Sequence, residues 1–251
     1  MVHTRSNREI EKISKSCQIV ADTLIMLEDY VVDGACVSDL DKMAEEYIIS
    51  KGARPAFKGY MGFPSTLCVS IEDAVVHGIP GKNILKQGQI VGIDCGAELE
   101  GYYGDHARSF AVGEITLEKK KLLNVTKESL LKGIDQAIPG NYVGDIGKAV
   151  QDHAESNGFS VVRELVGHGI GTSLHEEPQI PNYGEAHQGY KLRSGMCIAI
   201  EPMINFGSRE VFTASDGWTI LTKDGQPSAH FEHTIAITEN GPKILSVGSN
   251  G

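Results

Sequence analysis

"LKQGQIVGID" (residues 85–94) and "LRSGMCIAIE" (residues 192–201) align without a gap. Each begins with leucine and a basic residue, reaches a glycine two positions later, and runs through apolar residues to an acid six positions after that glycine. The flanks keep the same order. "SKG" (50–52) and "SNG" (156–158) each close a helical pattern with a glycine suited to the left-handed position after a helix. "VVHGIP" (75–80) and "LVGHGIG" (165–171) each place His-Gly-Ile before the repeated strand. Three matches in one order predict a duplicated architecture, with pseudo-repeats at about 5–115 and 116–247 inside a single domain spanning 1–251.

The repeat sets the element order. Ser6 and Glu9 have capping-box spacing, and Ile10, Ile13, Cys17, Val20 and Leu24 recur at helical intervals. A second helix is expected over 38–51, with counterparts near 116–137 and 143–157. Strands are expected near 66–71, 89–94, 98–103, 107–112, 159–166, 196–205, 218–222, 229–238 and 242–246. Each half is thus two helices and then strands, an α+β fold built as a pseudo-two-fold repeat around a central, mostly antiparallel sheet.

Composition narrows the class. Hydrophobic residues make up 41% and charged residues 22% of the 251, as in a globular protein. No apolar run reaches the ~18 residues of a membrane span, so no membrane association is expected. A formal net charge of -10 disfavours stable nucleic-acid binding. The five cysteines are scattered without a C-x-x-C pair, which fits a reducing compartment, read here as the cytoplasm.

The acids carry the chemistry. The repeated strands end at Asp94 and Glu201, and the strands that follow carry Asp105 and Glu232. A carboxylate buried at a strand is costly unless paired or bound to metal. Asp94 and Asp105 suit facing positions on two paired strands, and Glu201 and Glu232 can pair the same way. Pseudo-symmetry would gather all four, and four carboxylates repel one another without cations. His168 then fits as a single nitrogen ligand. One histidine with four carboxylates is an oxygen-rich set, suited to manganese, iron or cobalt more than to structural zinc. Bridging carboxylates would let it hold two metals, a known clamp for hydrolysis. A nucleotide loop at "GHGIG" is excluded by its spacing, since the fingerprint is G-x-G-x-x-G opening a helix. His106 and His233 follow ligand acids and should face away along a strand, as structural residues. His3, His153, His187 and His230 carry no signal of their own.

"VVHGIP", "GIDCGAELEGYYGDHAR", "GHGIGTSLHEEP", "IAIEPM" and "DGWTI…HFEHTIAIT" together resemble the signatures of the type I methionine aminopeptidase family, whose fold is the pita-bread fold shared with prolidase and creatinase. The resemblance implies five metal ligands at Asp94, Asp105, His168, Glu201 and Glu232, with Asp105 and Glu232 bridging two divalent ions (cobalt, manganese, iron or zinc). It implies attack of a metal-bridging water on the first peptide bond of nascent polypeptides bearing N-terminal methionine and a small second residue. Glu201 would move the water's proton, His175 would donate to the carbonyl oxygen, and His77 would contact the amide nitrogen side. The methionine pocket maps to Tyr60, Met61, Phe63, Cys68, Leu174 and Trp218. Met61 and Leu174 depart from the family pattern, which often has histidine and an aromatic there, and make the rim more aliphatic. A monomer in transient contact with the ribosome is expected.

Overall fold

A computed structural model describes residues 2–249. The first half runs α1 (Asn7–Glu28), α2 (Val37–Ser50), β1 (Arg54–Pro55), β2 (Leu67–Ile71), β3 (Ala74–Val76), β4 (Ile90–Leu99) and β5 (Tyr102–Ala111). The second half runs α3 (Leu117–Asp135), α4 (Val143–Ser156), β6 (Ser160–Val161), β7 (Gly167–Gly169), β8 (Glu176–Ile180), β9 (Cys197–Ile200) and β10 (Met203–Asn205). It finishes with β11 (Val211–Thr213), β12 (Ile220–Thr222), β13 (Ser228–His230), β14 (His233–Thr238) and β15 (Gly241–Ile244).

Local chemistry explains the helices. At the start of α1, Ser6 Oγ accepts from the Glu9 N–H and Glu9 Oε2 accepts from the Ser6 N–H, so two otherwise unpaired donors are satisfied. One stripe of α1, including Ile13, Val20, Leu24 and Leu27, is fully buried. Each such side chain contributes ~1.5–3 kcal/mol relative to exposure. The helices α2 and α4 have 14 residues each and end before Gly52 and Gly158, both at positive φ.

The duplication is visible in the hydrogen bonds. Gly34 N–H donates to Leu85 O and Leu85 N–H to Ala35 O; Gly140 N–H donates to Leu192 O and Leu192 N–H to Asn141 O. Gly88 and Gly195, the glycines of the aligned stretches, have φ of 88° and 90°, a conformation open to glycine and strained for other residues.

Every strand pairing among the described residues is antiparallel. In the first half, β4 pairs with β5 along its length and with β2 and β1. In the second half the order is β15-β14-β9-β7-β8, and two three-stranded sheets, β13-β10-β6 and β11-β12-β3, complete the set. The halves are stitched along β5. Ala107 O accepts from the Glu232 N–H at 2.9 Å, Asp105 O accepts from Thr234 Oγ1 at 2.8 Å, and Ser109 Oγ donates to His230 O at 2.9 Å.

Several boundaries differ from the sequence expectation. Residues 90–111 make one ten-on-ten hairpin where three strands were expected, closed by a turn at Glu100 and Gly101 with φ of 52° and 82°. Positive φ at both central positions matches the right-handed twist of long strands. Asp94 therefore lies inside β4 and not at its end. The expected strand 196–205 breaks at Glu201–Pro202, where proline has no N–H for the ladder. The expected strand 229–238 breaks at Phe231–Glu232, and 159–166 shortens to β6 and a loop leading to β7.

Candidate metal centre

The register of β4 and β5 pairs Asp94 with Ala107 and Gly96 with Asp105. Asp94 and Asp105 are thus diagonal neighbours on one face, two positions off direct opposition, and their carboxyls still interact. Glu232 enters across the seam between the halves. Asp105, His168 and Glu232 each present a ligand atom within 4.8 Å of the others. Glu201, just past β9, brings Oε1 to 3.6 Å from His168 Nε2, and Asp105 Oδ2 lies 3.9 Å from the same nitrogen. The five residues predicted as ligands meet in one pocket.

The glycines beside His168 have a packing role. β7 lies between β8 and β9, and a Cβ at Gly167 or Gly169 would collide with the Ala199 or Glu177 carbonyl. They let the His168 backbone sit deep between two strands. His168 Nδ1–H donates to the Gly169 carbonyl at 2.9 Å, which leaves Nε2 unprotonated toward the acids.

Burial pushes all four carboxyls upward: Asp94, Asp105, Glu201 and Glu232 are raised, and charge on neighbouring acids adds to the effect for Asp94, Asp105 and Glu232. Burial likewise depresses His168 to about 3 and His77 to about 4. Oδ1 of Asp94, Oδ1 of Asp105 and Oε1 of Glu232 are buried without a hydrogen-bond partner. Orphaned carboxylate oxygens around a neutral imidazole nitrogen are the donor set a divalent cation needs, so the residues fit a metal centre.

The flanking histidines are placed differently. His77 follows β3 with φ of 59°, a left-handed backbone uncommon outside glycine. His175 stands edge-on to His168 at 4.4 Å between ring centroids, and its Nδ1 lies 2.9 Å from Tyr60 Oη. Phe63 and Trp218 meet edge to face at 5.1 Å. Tyr60, Met61, Phe63, Cys68, Leu174 and Trp218 all line the same pocket as the acids. Met61 is 82% exposed, at the mouth. Cys68 pairs with Asp94 across β2 and β4, and burial with that acid pushes its thiol well up, against a nucleophilic thiolate.

Two pocket neighbours escaped the sequence reading. Phe57 lines the pocket beside Phe63. His230, read as silent, is buried with Nε2 3.6 Å from Glu201 Oε2 and without a hydrogen-bond partner there. Nothing in "SAHFEHT" marks His230 as buried; only its position two residues before Glu232 hints at it. His106 and His233 face away from the acids, as alternation predicts, and stack on each other. Glu176 is tied to Arg5 and the backbone of Thr172 and Ser173, outside the pocket of acids.

Residues 11–239 match metallopeptidase family M24. The chain is 48% identical over 247 residues to a methionine aminopeptidase of Clostridium perfringens (strain 13 / Type A), covering 98% of this chain and 99% of the relative. It is 50% identical over 246 residues to methionine aminopeptidase 1 of Bacillus subtilis (strain 168), with 98% and 99% covered. The crystal structure of a methionine aminopeptidase from Thermotoga maritima superposes with a TM-score of 0.97 at 45% identity, covering 98% of this chain and 100% of that one. Shared sequence along nearly the whole length and a shared pita-bread fold lead to one assignment: the chain belongs to metallopeptidase family M24.

Proposed function

We propose that this chain acts as a methionine aminopeptidase, a single-domain enzyme that removes N-terminal methionine from nascent polypeptides with a small second residue. The observation that carries the reading is the junction of a small apolar pocket with the buried carboxylate cluster. The pocket holds about 170 Å³. That is below the ~300–1,000 Å³ of ordinary ligand sites and suits one side chain. Its walls of Phe57, Phe63, Cys68, Leu174 and Trp218 match an unbranched thioether, which packs well against aromatic edges. A second cleft of about 510 Å³ shares His77, His168, His175 and Glu201 with it and continues outward. One residue fits in the smaller pocket, and the remaining chain leaves along the larger cleft, which favours cleavage after the first residue.

Asp94, Asp105, His168, Glu201 and Glu232 would hold two divalent ions, drawn from cobalt, manganese, iron and zinc. Such ions, when bound, supply Lewis-acid polarisation of the scissile carbonyl and a more acidic water. In this reading Glu201 takes the attacking water's proton and passes it on. Tyr60 O–H, in the same reading, donates to His175 Nδ1 and leaves the imidazole proton on Nε2, a donor for the developing oxyanion. His77 contacts the amide nitrogen side of the bond, and the acids receive the substrate's α-amine.

The reading also takes the enzyme as a cytoplasmic monomer in passing contact with the ribosome, without stable nucleic-acid or membrane partners. The net charge of -10 supports the part on nucleic acid. Among the described residues no helix is long and apolar enough to cross a membrane. Hydrolysis of Met-Ala-Ser against Ala-Pro-Ser with cobalt or manganese tests the proposal. Release of methionine from the first supports it, and cleavage of the second alone overturns it.

A further inference from the structure

Behind the metal centre a separate cavity of about 310 Å³ opens between α1 and α3. Glu232 lines both, but its carboxyl lies with Asp105 and His168, so it offers this cavity its backbone. The stacked imidazoles of His106 and His233 line it, 4.6 Å apart between centroids and within 9° of parallel. Both Nδ1 atoms are committed. His106 Nδ1–H donates to the Glu232 carbonyl. Ser246 Oγ accepts from the Thr234 N–H at 3.2 Å and lies 2.8 Å from His233 Nδ1.

Two cations complete the polar side. Arg108 pairs with Glu28 at 3.1 Å, and Lys127 is exposed and makes no ion pair among the described residues. Asp22, at the mouth, accepts from the backbone N–H of Ser249 at 2.8 Å and is engaged there. Ile25, Leu131 and Val247 line the same cavity at 48%, 41% and 45% exposure, so apolar surface converges beside the positive groups.

We infer that this cavity binds a small amphiphilic carboxylate, with its anionic head on Lys127 and Arg108 beside the stacked imidazoles and its apolar body against Ile25, Leu131 and Val247. The site is independent of the methionine pocket. Proton–nitrogen imidazole spectra of the zinc-loaded protein test it, with hexanoate as probe. Hexanoate is expected to move the His106 and His233 resonances saturably, while hexylamine leaves them still. Lys127→Glu, on an exposed helix position, should weaken hexanoate by about tenfold or more. Absence of a saturable shift, or unchanged affinity in Lys127→Glu, overturns the site. Inorganic phosphate saturating the same resonances as tightly as hexanoate overturns the apolar part of the inference. Hexanoate shifting His168 and His175 first, through the metal centre, overturns it as well.

Discussion

Tyr60 Oη lies 2.9 Å from His175 Nδ1, and the two rings stand edge to face at 5.1 Å. When the hydroxyl donates its proton to Nδ1, the ring proton is left on Nε2, free to donate. Loss of an oxyanion donor lowers kcat by ~10²–10³. His175→Ala should therefore cut kcat on Met-Ala-Ser by about that factor at unchanged metal content. Tyr60→Phe keeps the ring and removes the hydroxyl, so it should cost only the ~1 kcal/mol of a single hydrogen bond, about fivefold in kcat. Steady-state kinetics with metal analysis checks both. Equal loss of metal and activity in His175→Ala would move His175 out of this role.

Arg5 holds the loop that carries His175. Its Nη2 meets Glu176 Oε2 at 2.6 Å with both side chains nearly buried, and Glu176 Oε1 also accepts the N–H groups of Thr172 and Ser173. Removing one partner of a buried pair leaves an uncompensated charge, at a cost of ~3 kcal/mol or more. Arg5→Ala should lower the melting temperature and lower kcat through misplacement of His175. A thermal melt beside kinetics checks this. A stable variant with full activity would mean the strap is incidental.

The repeat made the frame legible because glycines at positive φ and acids at matched offsets are local signals. Gly88, Gly195, Asp94 and Glu201 could be read from two ten-residue stretches. The long hairpin was not legible, because "AELEGYYG" mixes strand and turn residues and only the twist of two long strands selects Glu100–Gly101 as the turn. The Arg5–Glu176 pair spans 171 positions, and no local pattern encodes it. Phe57 joins the pocket and His230 comes up against Glu201 through tertiary packing, which spacing along the chain does not reveal.

His230 gives a sharper test of what spacing missed. Its Nε2 faces Glu201 Oε2 at 3.6 Å with no other partner. Replacing it with leucine removes the polar group that faces Glu201 Oε2 on the side away from His168. The expectation is a fall of about tenfold in kcat, equivalent to ~1.4 kcal/mol, with KM for the methionine substrate little changed. His230→Gln, which retains an N–H donor, should recover most of the loss. Equal kcat for the leucine and glutamine variants would sink the positioning role.

Metal removal should expose the charge problem that the fold creates. Without metal, burial holds Asp94 at about 7 and Glu201 at about 8, while His77 and His168 are depressed to about 4 and about 3. A carboxyl with a raised folded pKa stabilises the fold at low pH and loses that contribution as pH rises through the raised value. A depressed histidine acts the opposite way, destabilising the fold only as pH falls below its ordinary 6.5. Between about pH 6.5 and 8 the histidines are neutral in both states, so the carboxyls alone decide the sign. The metal-free protein should lose stability as pH rises through that window, with ~2–4 °C of melting temperature for each kcal/mol lost. Binding divalent cations displaces those protons, so the metal-loaded protein should lack the decline and metal addition at pH 7 should release protons. Melting curves of the chelated and metal-loaded protein, with calorimetry in two buffers of different ionisation enthalpy, measure both effects. A chelated protein that becomes more stable from pH 6.5 to 8 would mean that the carboxyls are already ionised and stabilised by something other than metal.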